Sequence, residues 1–306
     1  MYITLNIPRE YVSNMSLNIP LHSHMIGFPY YKGKEESQFE IQKARKDGSY
    51  SYFTYKPLYE MSNSYLSNGY SVLYGAESIP DESAKEKLFE NVMNINPTEK
   101  VQNYISKGFL TVVNRDSIYE ESGTNYKSIV DFWNSNVHRI QKKLQGKTKG
   151  TMIFSAPDSY FKHDKHDIFM MFEEDMGKTF HTNTSMICWY KEEWLNNLSL
   201  ASLIKVLITH KHTVHNDWKY KTWDANEIIS LISKGIDKCL GEGSATLLFQ
   251  AMNTIHKLNE DVVVSRPVVF EAILKRLLGN NKHVQPVIDS ISNQIIEKII
   301  FCREVI

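Results

Sequence analysis

Three cysteines in 306 residues, Cys188, Cys239 and Cys302, are too few and too far apart for a disulfide framework or a zinc knuckle. Each lies in an apolar run and reads as a small buried hydrophobe. An excess of charge of one sign is missing too, with lysine plus arginine and aspartate plus glutamate at 35 each. A formal net charge of zero gives no global pull toward nucleic acid or anionic lipid, and direct nucleic-acid binding is not expected. The stretch Lys142–Lys149, a local basic candidate, reads as a solvated helix end and loop. No apolar run approaches the ~20 residues of a bilayer span. Residues 1–21, interrupted by Pro8 and Arg9, have no signal-peptide core. These absences lead to the expectation of a soluble cytoplasmic protein with no membrane partner. The absence that bears most on chemistry is a phosphate-binding loop, since no Gly-rich segment ending in Lys-Ser or Lys-Thr follows a strand candidate. Gly146-Lys147-Thr148 imitates the end of one, but Gln141 stands where the earlier glycine belongs, and the triplet precedes a strand.

What is present is a rhythm. Short apolar runs at His24–Tyr30, Tyr70–Tyr74, Phe109–Asn114, Thr151–Ser155 and Ser185–Tyr190 alternate with amphipathic stretches. The pattern predicts an α/β fold, a doubly wound and mainly parallel sheet with helices on both faces. One helix carries Val130, Trp133, Val137, Ile140 and Leu144 in a stripe, and the next carries Ile168, Met171, Phe172 and Met176. A further helix is expected over Leu200–Thr209, and Pro80 with Asp81 opens one through Leu88, Phe89 and Val92. Tyr52, Phe53, Tyr55 and Tyr59 read as a strand or hairpin.

Around Asn216–Asp224 the pattern turns purely helical. Asp224 and Glu227 have capping-box spacing for a helix that stops near Gly241. Ser244 can cap a second helix through Leu258, and Ser265 with Pro267 opens a third that closes at Gly279. The last runs from about Lys282, with Val284, Ile288, Ile291, Ile295 and Ile299 in one stripe. The expected organisation is an extended lead-in at 1–21, an α/β domain at 22–222 and a small all-α domain at 223–306. The final stripe is wider than three short partner helices would cover, which predicts an exposed patch and a homodimer through the tail.

In a parallel α/β sheet, ligands bind at the carboxyl ends of the strands. The residues that follow the strand candidates are therefore the expected ligand site: Tyr30, Glu77, Ser78, Arg115, Asp116, Asp158 and Tyr190. Arg115 would bind an anion, and Glu77 and Asp116 would orient water or polar groups. Three histidine groups are candidate metal ligands: His22 with His24, His163 with His166, and His210 with His212 and His215. None has a recognised zinc spacing, so no metal is assigned, and the last group is the nearest candidate. No nucleophile-elbow pattern surrounds Ser159, and no catalytic residue is assigned. The residues imply no cofactor.

Four segments together carry a family likeness: Tyr70–Glu77 (YSVLYGAE), Gly108–Tyr119 (GFLTVVNRDSIY), Met170–Asp175 (MMFEED), and Cys188-Trp189-Tyr190 followed by Thr209-His210. Over His22–His215 the chain resembles the MEDS domain, a sensory module of methanogens and methylotrophs. That domain resembles the KaiC and RecA-type ATPases with their phosphate loop lost. The resemblance implies a doubly wound sheet, a role in sensing or signalling, and an effector or signalling protein as partner. Two departures from the ATPase pattern bear on hydrolysis. Tyr30–Tyr50 holds the phosphate-loop position without Gly-Lys-Thr, and Glu77 is followed by Ser78 where KaiC-like proteins carry paired glutamates. The helical tail resembles archaeal output segments at Pro267, Phe270, Leu274 and Gly279. The leading reading is a sensor without hydrolytic activity. The alternative is a divergent nucleotide-binding or metal-assisted hydrolase using Glu77, Asp116 and the histidines near 210.

Overall fold

The computed structural model describes residues 24–27, 56–76, 98–122, 125–156, 160–161, 165–179, 183–190, 192–210, 212–214, 220–279 and 281–301. In chain order the elements are β1 (His24–Gly27), α1 (Lys56–Ser67), β2 (Ser71–Ala76), α2 (Thr98–Lys107), β3 (Leu110–Asn114), α3 (Arg115–Ser122) and α4 (Tyr126–Leu144). Next come β4 (Thr151–Ser155), α5 (His166–Thr179), β5 (Thr184–Trp189), α6 (Glu192–Asn196), α7 (Leu200–Thr209), β6 (His212–Val214) and β7 (Tyr220–Thr222). The tail holds α8 (Ala225–Leu240), α9 (Ser244–His256), α10 (Val262–Ser265), α11 (Pro267–Leu278) and α12 (Asn281–Phe301).

The fold is α/β. Among the described residues, seven strands form one sheet in the order β3-β2-β4-β5-β1-β6-β7. All five apolar runs lie in it and pair in parallel; β6 is also parallel to β1, and β7 alone runs antiparallel, against β6. Strands buried on both faces read as unbroken apolar runs, which is why β4 and β5 are buried at every position. Their side chains alternate between two cores. Leu73, Ile153, Met186 and Cys188 face one, and Val72, Tyr74, Met152, Phe154, Ile187 and Trp189 face the other.

The connections explain the layers. From β3 to β4 to β5 to β6 the chain steps one way across the sheet, and α4, α5 and α7 cover the first core. From β2 to β3 it steps the other way, and Met61, Tyr65 and Leu66 of α1 with Tyr104 of α2 lie against the second. Crossovers of a single hand place helices in this manner. The expected stripe Val130, Trp133, Val137, Ile140 and Leu144 is buried on the sheet. Gln145 in the left-handed region ends that helix, with Gly146 following at φ 79°.

The tail is a third layer. Asp224 caps α8 by accepting from the Glu227 amide at 2.8 Å, and everything described after it is helical or a short link. The helices α8 and α12 pair at very close range, since a Cβ added to Gly235 would lie 2.5 Å from the Ile291 Cα. Ser290 Oγ seals the contact by donating to the Gly235 carbonyl at 2.8 Å. One contiguous apolar cluster runs from Leu73 of the sheet through α7 to Ile299 of α12. Among the described residues no helix is long and apolar enough to cross a membrane.

Several expectations are corrected. Tyr59 lies in the helix α1, not a strand or hairpin; Met61, Tyr65 and Leu66, at spacings of four and one, make its buried face. The buried residues of α5 are Phe169, Met170, Phe172, Glu173 and Met176, while Met171 is 49% exposed. Gly243 and Arg266, not Ser244 and Ser265, stand at the starts of α9 and α11, and neither side chain caps. Ser265 instead ends α10. The stripe on α12 is not left open. Val284, Val287, Ile288, Ile291, Ile295, Ile296 and Ile299 are all buried within the chain, because α8 lies along α12 and α6, α7 and α11 pack against it. The lead-in 1–21, the helix expected from Pro80, and Tyr52, Phe53 and Tyr55 lie outside the described residues.

Candidate functional site

The carboxyl ends of the strands turn polar groups inward. Arg115 opens α3 directly after β3 and is only 2% exposed. One turn further, Tyr119 is also buried, close enough to feel the Arg115 guanidinium and Ser155 at the end of β4. Its ring lies 4.7 Å from Tyr160, which contacts Phe169 and Phe172 of α5. Tyr190, just past β5, packs on Phe169 and meets His210 edge-on at 5.7 Å.

Glu173 of α5 is at the centre. Tyr190 donates its hydroxyl to Oε1 at 3.0 Å. The other oxygen, Oε2, lies 2.9 Å from His210 Nε2 and 3.9 Å from Cys188 Sγ. His210 caps the carboxyl end of α7, and its second ring nitrogen, Nδ1, lies 2.8 Å from the Val206 carbonyl. A carbonyl only accepts, so Nδ1 carries hydrogen and Nε2 is the atom turned to the carboxylate. Glu173, Tyr190 and His210 are all fully buried.

Burial sets the proton inventory. Desolvation, then the Glu173 charge, pushes the Cys188 thiol well above its ordinary range, and the same two causes lead at Tyr190. Burial also raises Tyr160 and Tyr119; at Tyr119 the Arg115 guanidinium and Ser155 pull the other way. The array therefore keeps its acids protonated around one carboxylate. A thiol held this way is no nucleophile, which argues against covalent catalysis through Cys188.

Of the expected ligand residues, Arg115 and Tyr190 join this array. Asp116 occupies the second position of α3. Tyr30, Glu77, Ser78 and Asp158 lie outside the described residues, as does His215. The histidine group is divided: His210 is in the buried cluster, whereas His212 is in β6, its Nδ1 3.0 Å from Thr222 Oγ1. His210 thus ends a helix, whereas His212 belongs to the next strand. Glu173 escaped the sequence reading, and its signal was a carboxylate at i+4 from Phe169 and i−3 from Met176, on an apolar face. Among the described residues, Glu173, Cys188 and His210 form a group able to hold a metal ion.

The strand switch between β2 and β4 is plugged rather than open. A Cβ on Gly75 would lie 2.7 Å from the Trp133 ring and 3.3 Å from Ser155 Oγ. One step over lies a groove of about 540 Å³ at the end of β3, between α3 and α4. Val113, Ile118 and Phe132 give it an apolar wall, and Asn114, Ser117 and Arg139 give it polar groups. Arg139 is steadied by a 2.7 Å bond to Asn136 Oδ1. Compared with protein-family models, with curated proteins and with solved structures, the chain matches none.

Proposed function

We propose that the chain is a sensor without hydrolytic activity, a KaiC-like α/β unit that takes a small effector at its strand ends and a helical output domain that carries its state outward. The observation that carries this reading is the position of α7. At its carboxyl end His210 enters the buried cluster, and at its amino end the Ala201 amide donates to Glu271 of α11 at 2.7 Å. One helix of ten residues thus belongs to both the strand ends and the tail. A shift of packed helices is a recurrent way for one site to inform another. The groove beside β3, with Arg139 on its wall, supplies a place for a small anionic effector.

The test is a melting-temperature screen of the full chain with ATP, GTP, inorganic phosphate and small carboxylates. A ligand at 100 times its Kd adds about 2.7 kcal/mol, an easily read shift. The expected result is a stabilising anion whose effect is lost in Arg139→Ala and which alters hydrogen exchange in α8 and α12. ATP turnover should not exceed background. A ligand that stabilises without touching exchange in the tail would remove the output role. Turnover abolished by Glu77→Gln would establish the hydrolase instead.

We also propose that the tail self-associates, but not through the covered stripe of α12. The large apolar side chains it exposes include Leu247 and Ile255 of α9, 67% and 63% exposed, and Val268 of α11. Sedimentation at micromolar concentration should show a dimer that Leu247→Asp with Ile255→Asp dissolves. A monomer before substitution ends this part of the proposal.

A further inference from the structure

The geometry points to a divalent metal site, of zinc type, formed by Glu173 Oε2, Cys188 Sγ and His210 Nε2. The three come from three separate elements, α5, β5 and the end of α7, and their ligand atoms all lie within 4.8 Å of one another. Zinc bonds of about 2.0–2.3 Å in a tetrahedron set ligand atoms roughly 3.2–3.7 Å apart. The separations of 2.9 Å and 3.9 Å about Oε2 straddle that range, so small side-chain movements admit the ion.

The surrounding bonds are those a metal site needs. A ligating histidine usually donates its far nitrogen to a carbonyl or carboxylate, which orients the ring and frees the other nitrogen. Here the Val206 carbonyl does this at 2.8 Å. A ligating carboxylate is held in turn, and Tyr190 binds Oε1 at 3.0 Å, leaving Oε2 for the ion. Charge closes as well. A divalent cation with one carboxylate, one thiolate and a neutral imidazole sums to zero, the arrangement a site without solvent tolerates best. Coordination releases the thiol proton to solvent, and a second proton where the imidazole was charged. The donor set of thiolate and imidazole with one carboxylate suits zinc rather than magnesium or calcium. Neither the effector groove nor the output role of the tail enters this assignment, and metal content is read without either.

The experiment is elemental analysis of the full chain after growth with zinc and dialysis, followed by exchange for Co²⁺. The expected result is one equivalent of zinc per chain and a Co²⁺ form with a sulfur-to-metal charge-transfer band. Cys188→Ser should abolish the charge-transfer band, His210→Ala should weaken retention by 10-fold or more, and Cys239→Ser, at an exposed thiol, should change nothing. A full chain that holds no zinc after growth or refolding with Zn²⁺ overturns the assignment. So does a charge-transfer band that survives in Cys188→Ser, or one lost in Cys239→Ser. Because the unsubstituted protein alone decides the first outcome, a variant that fails to fold does not shield the proposal.

Discussion

Raising the pH from about 8 to about 11 should strongly destabilise the metal-free protein. Cys188, Tyr65, Tyr119, Tyr160 and Tyr190 are each at most 5% exposed, and burial raises the pKa of every one. In an unfolded chain the thiol titrates near about 8.5 and the phenols near about 10. Below those values both states hold the protons and stability is unaffected. Above them the unfolded chain releases protons that the native state keeps, so each pH unit costs about 1.4 kcal/mol per group. Each group that keeps its proton adds to this slope, so stability falls fastest once the phenols of the unfolded chain begin to titrate. Urea midpoints at fixed ionic strength across this range measure it. Cys188→Ala should flatten the curve between about pH 8.5 and about pH 10, leaving the steeper phenol-driven fall. A midpoint that stays constant to about pH 11 would show that these groups reach water in the native state.

Glu173→Ala is the single substitution expected to do most damage to the site, about 3–5 kcal/mol by urea unfolding at neutral pH. It removes the acceptor of the Tyr190 hydroxyl and the carboxylate that faces His210 Nε2, and leaves both polar groups in a dry core. Tyr190→Phe deletes only the donor to Oε1 and should cost about 1–2 kcal/mol. The double substitution should cost less than the sum, because both changes break the same bond. A Glu173→Ala loss under about 1 kcal/mol would mean that the carboxylate is not the centre of the cluster.

The sheet was legible because a parallel sheet buries both faces of its strands. Thr151–Ser155 and Ser185–Tyr190 carry no alternation to misread, and the helix stripe from Val130 to Leu144 has a clean period. Strand order and the α7 contact were not legible, since nothing in His24–Gly27 says that it will lie between β5 and β6. The helix α1 was obscured by aromatic residues of high strand propensity just before it, a bias that burial of Met61 and Tyr65 overrides. For the site, proximity to strand ends pointed to Arg115 and Tyr190, and the fold brings both into the buried array there. Proximity missed that they point into the protein, because it takes three elements at once to bring Glu173, Cys188 and His210 together.

The place of β1 also sets a timetable. Both of its hydrogen-bonding neighbours, residues 184–189 and 212–214, lie some 160 or more positions downstream. During synthesis at about 5–20 residues per second, the interval between the strand and its partners is on the order of ten to forty seconds. Throughout that time β2, β3 and β4 can assemble, while His24–Gly27 has no neighbour to pair with and remains a sticky edge on an incomplete protein. Closure of the sheet is therefore a late, long-range event in which a strand made early is among the last to be seated.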